Sequence, residues 1–430
     1  MAFGYTARHY WNSFEGVSMG RVRCKVVWAV ALVLLSVEAQ ALPFISLDAR
    51  ANAMGGAGVA AARGSNVAFI NPALLRPAQG QWDATAGGLV RFTDPRNLQE
   101  EIDIYQRNKI ESIFETALLD YKADPSTSTP RANIATATQN IIAQLNRFSG
   151  RPIEEEVSIG FAAVLPEKKM ALLVGQQTIG GARLINVDKD LALFTGVIDG
   201  LNDPDKLPDD EVFNIILSGP GRNVNTKLRS QGALIREFGL ALAREVEVGG
   251  RKVDVGITPK YVDVTTFDSE QLLPGSSYNS AAGQRHYASY NVDLGLAVEH
   301  GDGWRGGVAI KNLIPHRYRT VLDGAVKIEP QARIGAAYSG EWYAAALDLD
   351  LNESKGIGLA SDSQYLSIGA ELSLIKSLQL RGGYRHNISN TKTNMVTLGV
   401  GFGVLGAAAD IGMSLNKDGV GLSGQLGFHF

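Results

Sequence analysis

A chain of 430 residues is long enough for two or three soluble domains or for one large barrel. Its 41 basic and 44 acidic residues nearly cancel, which excludes the basic surplus that nucleic-acid binding requires. A single cysteine, Cys24, excludes a disulfide framework, and 48 glycines stand against a usual share of about 7%.

Residues 1–41 contain the pattern of a secretory signal. Arg21, Arg23 and Lys25 make a basic start, Val26 to Val37 an apolar stretch, and Ala39-Gln40-Ala41 a small-residue cleavage site. Cleavage after Ala41 removes Cys24, and Met19 is an alternative start. About a dozen apolar residues are too few to cross a bilayer, and no later segment is long and apolar enough for a membrane helix. An exported chain of this kind is expected in the periplasm or the outer membrane of a Gram-negative bacterium.

Residues 42–80 have no strand alternation. Gly55, Gly56 and Gly58 permit positive φ and close backbone approach, and alanines surround them. No Gly-Lys-Ser/Thr follows, so the stretch is not a phosphate loop. A compact segment inside something narrow fits it better. In Asn71-Pro72-Ala73, proline fixes its own φ and drives Asn71 from helix, freeing the Asn71 side chain to hold a turn. Anchoring of this motif near Arg381 or Asp348 is expected.

Trp82 to Phe92 alternates as a first strand. A helical insertion over 97–149 follows, predicted as a hairpin of two helices. Asn97 with Glu100 suggests a capping box, and Leu98, Ile102, Tyr105, Ile113, Ala117 and Tyr121 suggest a packing stripe. A long loop is predicted over 180–231.

From Glu155 onward period-two runs dominate, and with the first they predict 14 strands over 81–430. Tight turns at Pro166-Glu167, 247–250, Gly301-Asp302, Gly340, Lys376 and Leu405 alternate with longer connections. Sorting short turns from long loops belongs to outer-membrane barrels. The fold class is therefore all-β: an antiparallel outer-membrane β-barrel of about 14 strands, with an N-terminal plug and a helical insertion after the first strand. A charge facing lipid costs roughly 2–4 kcal/mol at the midplane. Parity and cost together place Asp254, Asp293, Arg305, Lys311, Arg333, Asp348, Asp350, Glu371, Arg381, Arg385 and Asp410 in the lumen. In the last run, Phe428 and Phe430 share the apolar face and are candidates for the signal that the barrel assembly machinery reads.

Met54 to Ala60, followed by Val67 to Ala73 with its Asn-Pro-Ala, resembles the hatch of the FadL/TodX superfamily of outer-membrane barrels. The insertion after the first strand is closer to the branch of plasmid-transfer TraF proteins, distinct from the thioredoxin-like TraF of conjugation. The resemblance implies a hatch over 42–80 that plugs a 14-stranded barrel through which small hydrophobic compounds pass. The charged lumen is not obviously suited to a greasy ligand along the whole bore.

The six histidines are scattered, with neither zinc spacing nor Gly-x-Ser-x-Gly, so no enzyme, metal or cofactor is expected. Two functions stay open: a channel for small hydrophobic compounds, and a non-transporting envelope component of conjugal transfer or secretion. Expected partners are outer-membrane lipid, the assembly machinery and hydrophobic small molecules.

Overall fold

The computed structural model describes residues 47–76, 82–95, 97–148, 152–203, 225–272 and 283–429. The signal region 1–41 and Phe430 lie outside the described residues. Among the described residues sixteen strands form, and 14 of them close into one antiparallel barrel. In chain order the wall consists of β1 (Asp83–Thr93), β2 (Ile153–Val164), β3 (Met170–Ile185), β4 (Lys227–Val248), β5 (Arg251–Leu272), β6 (Gln284–His300) and β7 (Trp304–Lys311). It continues, past a separate hairpin of β8 (His316–Arg319) and β9 (Ala325–Ile328), through β10 (Gln331–Ser339), β11 (Tyr343–Asp350), β12 (Tyr365–Ile375), β13 (Leu378–Asn387), β14 (Met395–Val404), β15 (Ala407–Asn416) and β16 (Gly419–His429). Closure is made by β1 on β16, in register from Asp83 opposite His429 to Thr93 opposite Gly419. Among the described residues, every strand of the closed barrel has a neighbour on both sides.

Alternation decides which face is which. Along β11, Ala344, Ala346, Asp348 and Asp350 are buried while Tyr343, Ala345 and Leu347 are exposed. The same parity leaves Leu398, Val400, Ile411, Leu422 and Leu426 on an exposed apolar outer surface. Aromatic rings border that surface. At the short-turn end Trp304 packs on Tyr338 (5.2 Å) and Tyr338 on Tyr343 (5.3 Å). Toward the long loops, Phe238, Tyr261 and Tyr290 pack tilted and edge-on across β4, β5 and β6. Tyr290 lies ten residues along β6 from His300, the partner of Trp304. That run is ~33 Å of strand. At a tilt near 40° it rises about 25 Å, the height of the apolar band of a membrane barrel. Beyond Tyr261 on the same face comes a half-buried ion pair, Arg236 with Asp263 at 3.0 Å. The outside is thus the surface of a membrane-spanning barrel.

The insertion differs from the predicted hairpin. It contains α3 (Leu98–Arg107), α4 (Ile110–Ala123) and α5 (Ser128–Phe148), and α6 (Val187–Asn202) from the predicted loop joins them. The break comes at Lys109, which has φ 49°. It resets the helical phase, so Phe114, Leu118 and Tyr121 face inward and Ile113 is 53% exposed. Asn97 also has a positive φ, and the amide of Leu98 is capped by Asp94 at 2.8 Å instead. No helix among the described residues is long and apolar enough to cross a membrane.

Candidate functional site

Residues 47–76 lie against the inward face of the wall. They comprise α1 (Ala49–Ala53), α2 (Val67–Ile70) and a 3-10 turn (Pro72–Leu74), and they are buried along almost their whole length. Local rules fix each piece. Asp48 caps α1 by accepting from the amide of Ala51 at 3.1 Å. Asn71 is extended (φ −147°, ψ 102°), as a residue before proline prefers, and its Oδ1 accepts from the amide of Ala73 at 3.1 Å.

Glycines let the wall backbone come this close. Gly87, Gly160 and Gly175 are register partners across β1, β2 and β3. Gly256 faces Gly295 on β5 and β6, and Gly369 faces Gly383 on β12 and β13. A Cβ would stand 2.7 Å from the Leu47 carbonyl oxygen at Gly87, 2.1 Å from Asn71 Oδ1 at Gly295 and 2.3 Å from the Met54 carbonyl oxygen at Gly369.

A polar chain runs from the segment to the wall and back. Arg50 donates to Glu371 at 2.7 and 3.1 Å. Glu371 also accepts from Arg381 at 2.7 Å, and Arg381 pairs with Asp410. Asp410 accepts from Gln425 at 2.6 Å, and Gln425 accepts from the Ala49 amide (2.8 Å) and from Asn66 (2.9 Å). Buried charges persist only when paired and hydrogen-bonded, and each member here has such partners.

The glycine motif meets the opposite arc. Asp348 accepts from the amides of Gly58 (2.8 Å) and Val59 (2.9 Å). Thr397 accepts from the Gly55 amide at 2.8 Å. Arg385 donates to the Gly55 carbonyl at 2.8 Å and Arg333 to the Gly56 carbonyl at 3.3 Å, while Arg333 pairs with Asp350 at 2.5 Å. Contrary to the sequence expectation that it anchors near Arg381 or Asp348, the Asn-Pro-Ala motif binds elsewhere. Asn71 donates to the carbonyls of Val59 (2.8 Å) and Leu296 (3.2 Å), and Ala73 lies over Gly256. The reason is steric: the paired glycines of β5 and β6 make the recess that a turn with no side chain to spare can fill.

Elsewhere in the lumen, Asp254 binds Arg76 (2.9 Å) and Lys169 (3.0 Å). Asp293 accepts from Lys260 (2.9 Å), which also binds Glu237 (2.8 Å), and half-buried Lys311 lines the cavity that Glu237 shares. Arg305 binds Glu299 at 2.8 Å near the short-turn rim. Phe428 is 47% exposed on the outer face of β16. Sequence reading missed Arg50, Arg76, Lys260, Glu237 and Gln425. Parity could have found Lys260 and Glu237 on β5 and β4. Nothing in the irregular run 42–80 marks Arg50 or Arg76 as wall ligands.

Above the segment, on the long-loop side, the lining changes. Ile179, Ala233, Ile235, Val262 and Val264 on β3 to β5 pack with Tyr318, Val326 and Ile328 of the β8–β9 hairpin and with Ile357. Thr320 donates to Asp268 (2.8 Å), and Tyr318 shares a hydrogen bond with Ser289 (2.6 Å), which fixes the hairpin over this apolar patch.

Residues 68–350 match the family model described as F plasmid transfer operon, TraF, protein. In structure the chain is similar to the toluene transporter TbuX of Ralstonia pickettii, at 12% identity, 90% of this chain, 99% of that one and TM-score 0.49. It is similar to the toluene transporter TodX of P. putida at 11%, 89%, 98% and 0.48, and to a Pseudomonas aeruginosa FadL homologue at 10%, 92%, 98% and 0.45. No curated protein sequence matches it.

Proposed function

The chain belongs to the TraF protein family of the F plasmid transfer operon, and from that premise we propose that it is a plugged outer-membrane barrel that admits small hydrophobic compounds. One observation carries this reading: the inward residues of β3 to β5 in the long-loop half are apolar and packed beneath the β8–β9 hairpin, so a shift of the hairpin exposes a greasy surface there, although the short-turn half is charged. Water and ions gain nothing from such a lining, whereas an apolar solute does. Residues 42–80 act as the hatch, which shifts to let a solute past. The signal over 1–41 directs export with cleavage after Ala41, and β16, through Phe428 and Phe430, is read by the barrel assembly machinery. The test is uptake of a radiolabelled fatty acid by proteoliposomes. Uptake faster than in empty liposomes supports the channel, and equal rates count against it.

A second reading has its own support. The segment 47–76 is tied around the wall by Arg50–Glu371, Arg76–Asp254 and the Arg333 and Arg385 contacts, so opening the bore breaks several buried links together. A barrel that never opens would serve as a non-transporting envelope component of conjugal transfer or secretion. Loss of plasmid transfer on deletion, with unchanged uptake, distinguishes that role.

A further inference from the structure

Arg385 on β13 is 6% exposed, yet among the described residues no carboxylate lies within ion-pair distance of it. Its Nε is used by the Gly55 carbonyl, and its guanidinium lies 5.0 Å from the centre of the Tyr365 ring. The stacked face leaves the Nη edge unengaged. That side chain lines a cavity of about 70 Å³ on the long-loop side of the hatch segment, together with Arg91, Glu156, Ser363, Tyr365 and Asn387. Two further buried polar atoms of the cavity able to donate, Arg91 Nε and Ser363 Oγ, have no hydrogen-bond partner.

Of the four carboxylates that line the same space, Glu155 is exposed and Glu154, Glu156 and Asp362 each hold a partner. Glu156 holds Arg91 at 2.7 Å, although its Oε1 is unpartnered. Glu154 accepts from the Ser361 amide at 3.0 Å and from the Ser361 hydroxyl. Asp362 accepts from Lys355 at 2.8 Å and from the Gly356 amide at 3.0 Å. The neighbouring Arg333 is engaged by Asp350. A buried guanidinium without a counter-charge costs several kcal/mol, whereas one facing an oxyanion is a strong, directional donor.

We propose that this cavity is a binding site for a small oxyanion, a carboxylate or phosphate group, held by the free edge of Arg385 with Arg91 Nε and Ser363 Oγ as further donors. The volume suits an anion of acetate or phosphate size and is too small for an acyl chain. The cavity borders the apolar cluster of β3 to β5 at Ile179, but its donors lie outside those strands and it does not depend on whether the barrel transports anything. Bound there, the anion adds a counter-charge at the point where Arg385 grips the hatch segment.

The experiment uses the full-length mature protein in detergent. Sodium acetate and inorganic phosphate are titrated at constant ionic strength, with chloride making up the balance, and the unfolding midpoint is followed. A ligand of the folded barrel raises the midpoint in a saturable way. Saturation by acetate assigns the carboxylate class, and saturation by phosphate the phosphate class. Arg385→Gln is expected to abolish the response and Arg385→Lys to keep a weakened one. Ser363→Ala, which leaves every barrel strand untouched, is expected to weaken affinity roughly tenfold. A midpoint that never departs from its constant-ionic-strength value in the wild type overturns the proposal. So does a folded Ser363→Ala or Arg385→Gln barrel that binds the anion as the wild type does.

Discussion

Arg385 donates from Nε to the carbonyl oxygen of Gly55 at 2.8 Å, a contact that spans 330 residues of chain. Gly55 and Gly56 both have positive φ, at 72° and 87°, and this turn aims their two carbonyls at Arg385 and Arg333. Two arginines on separate strands therefore read one pair of glycines. The backbone conformation is what they recognise.

That geometry gives a paired prediction. A Cβ on Gly56 would stand 1.7 Å from Arg385 Nη2, and a Cβ on Gly249, also at positive φ (61°), would meet nothing within 4 Å. Both alanine variants incur backbone strain of order 1–3 kcal/mol. Gly56→Ala alone also displaces the guanidinium. The midpoint for heat-induced loss of the folded gel band is expected to fall further for Gly56→Ala than for Gly249→Ala. Equal falls would mean that Arg385 moves aside at no cost.

Glu371 accepts from both Arg50 and Arg381. Glu371→Gln leaves two buried guanidinium groups short of charge. Arg50→Met removes one arginine and leaves Glu371 with Arg381. Breaking one side of a buried pair costs about 3–5 kcal/mol, so Glu371→Gln is expected to be the more damaging. Because the groups share partners, the double variant should be less destabilised than the sum of the singles. Thermal midpoints of the four proteins measure this, and strict additivity would show that Arg50 and Glu371 do not act together.

Asp190 on α6 is fully buried and accepts from the Asn225 amide (2.8 Å), the Thr226 amide (2.7 Å) and the Thr226 hydroxyl (2.6 Å). It fastens α6 to the start of β4. Asp190→Ala is expected to cost about 1–3 kcal/mol locally, because buried donors lose their acceptor. Limited proteolysis should then cut between α6 and β4 in the variant first, with the barrel band unchanged. Wild-type resistance there would assign the anchoring to the apolar contacts of Phe194 and Val197 instead.

The wall was legible because alternation is a period-two signal and lipid penalises charge, so parity alone assigns Asp348 to the inside and Leu347 to the outside. The helical additions were less so. Val187, Phe194, Val197 and Leu201 have helical spacing and are buried, where the sequence predicts a loop between strands. The break at Lys109 left no proline or glycine as a sign. Least legible were the contacts of 47–76. Arg50 to Glu371 joins positions 321 apart, and no local rule selects that partner among the carboxylates of the lumen. The paired wall glycines held the missing information, since Gly256 and Gly295 become neighbours only once the register is known.

Those glycines also bear on whether the segment 47–76 moves. Asn71 holds the Val59 and Leu296 carbonyls while its Oδ1 closes the turn onto Ala73. Asn71→Ala with Pro72→Gly removes these bonds and the fixed φ that presents them. A methyl at Gly295 attacks the same contact from the wall, because its Cβ would stand 2.1 Å from Asn71 Oδ1. If the segment is a hatch, both variants should assemble as heat-modifiable barrels and both should raise ion conductance in planar bilayers. Gly306→Ala, whose Cβ would meet nothing within 4 Å, should leave conductance at the wild-type level. Unchanged conductance in both correctly assembled variants would make the motif purely structural and would favour the barrel that never opens. A rise in the Asn71 and Pro72 variant alone would mean that the wall, and not the segment, yields at Gly295.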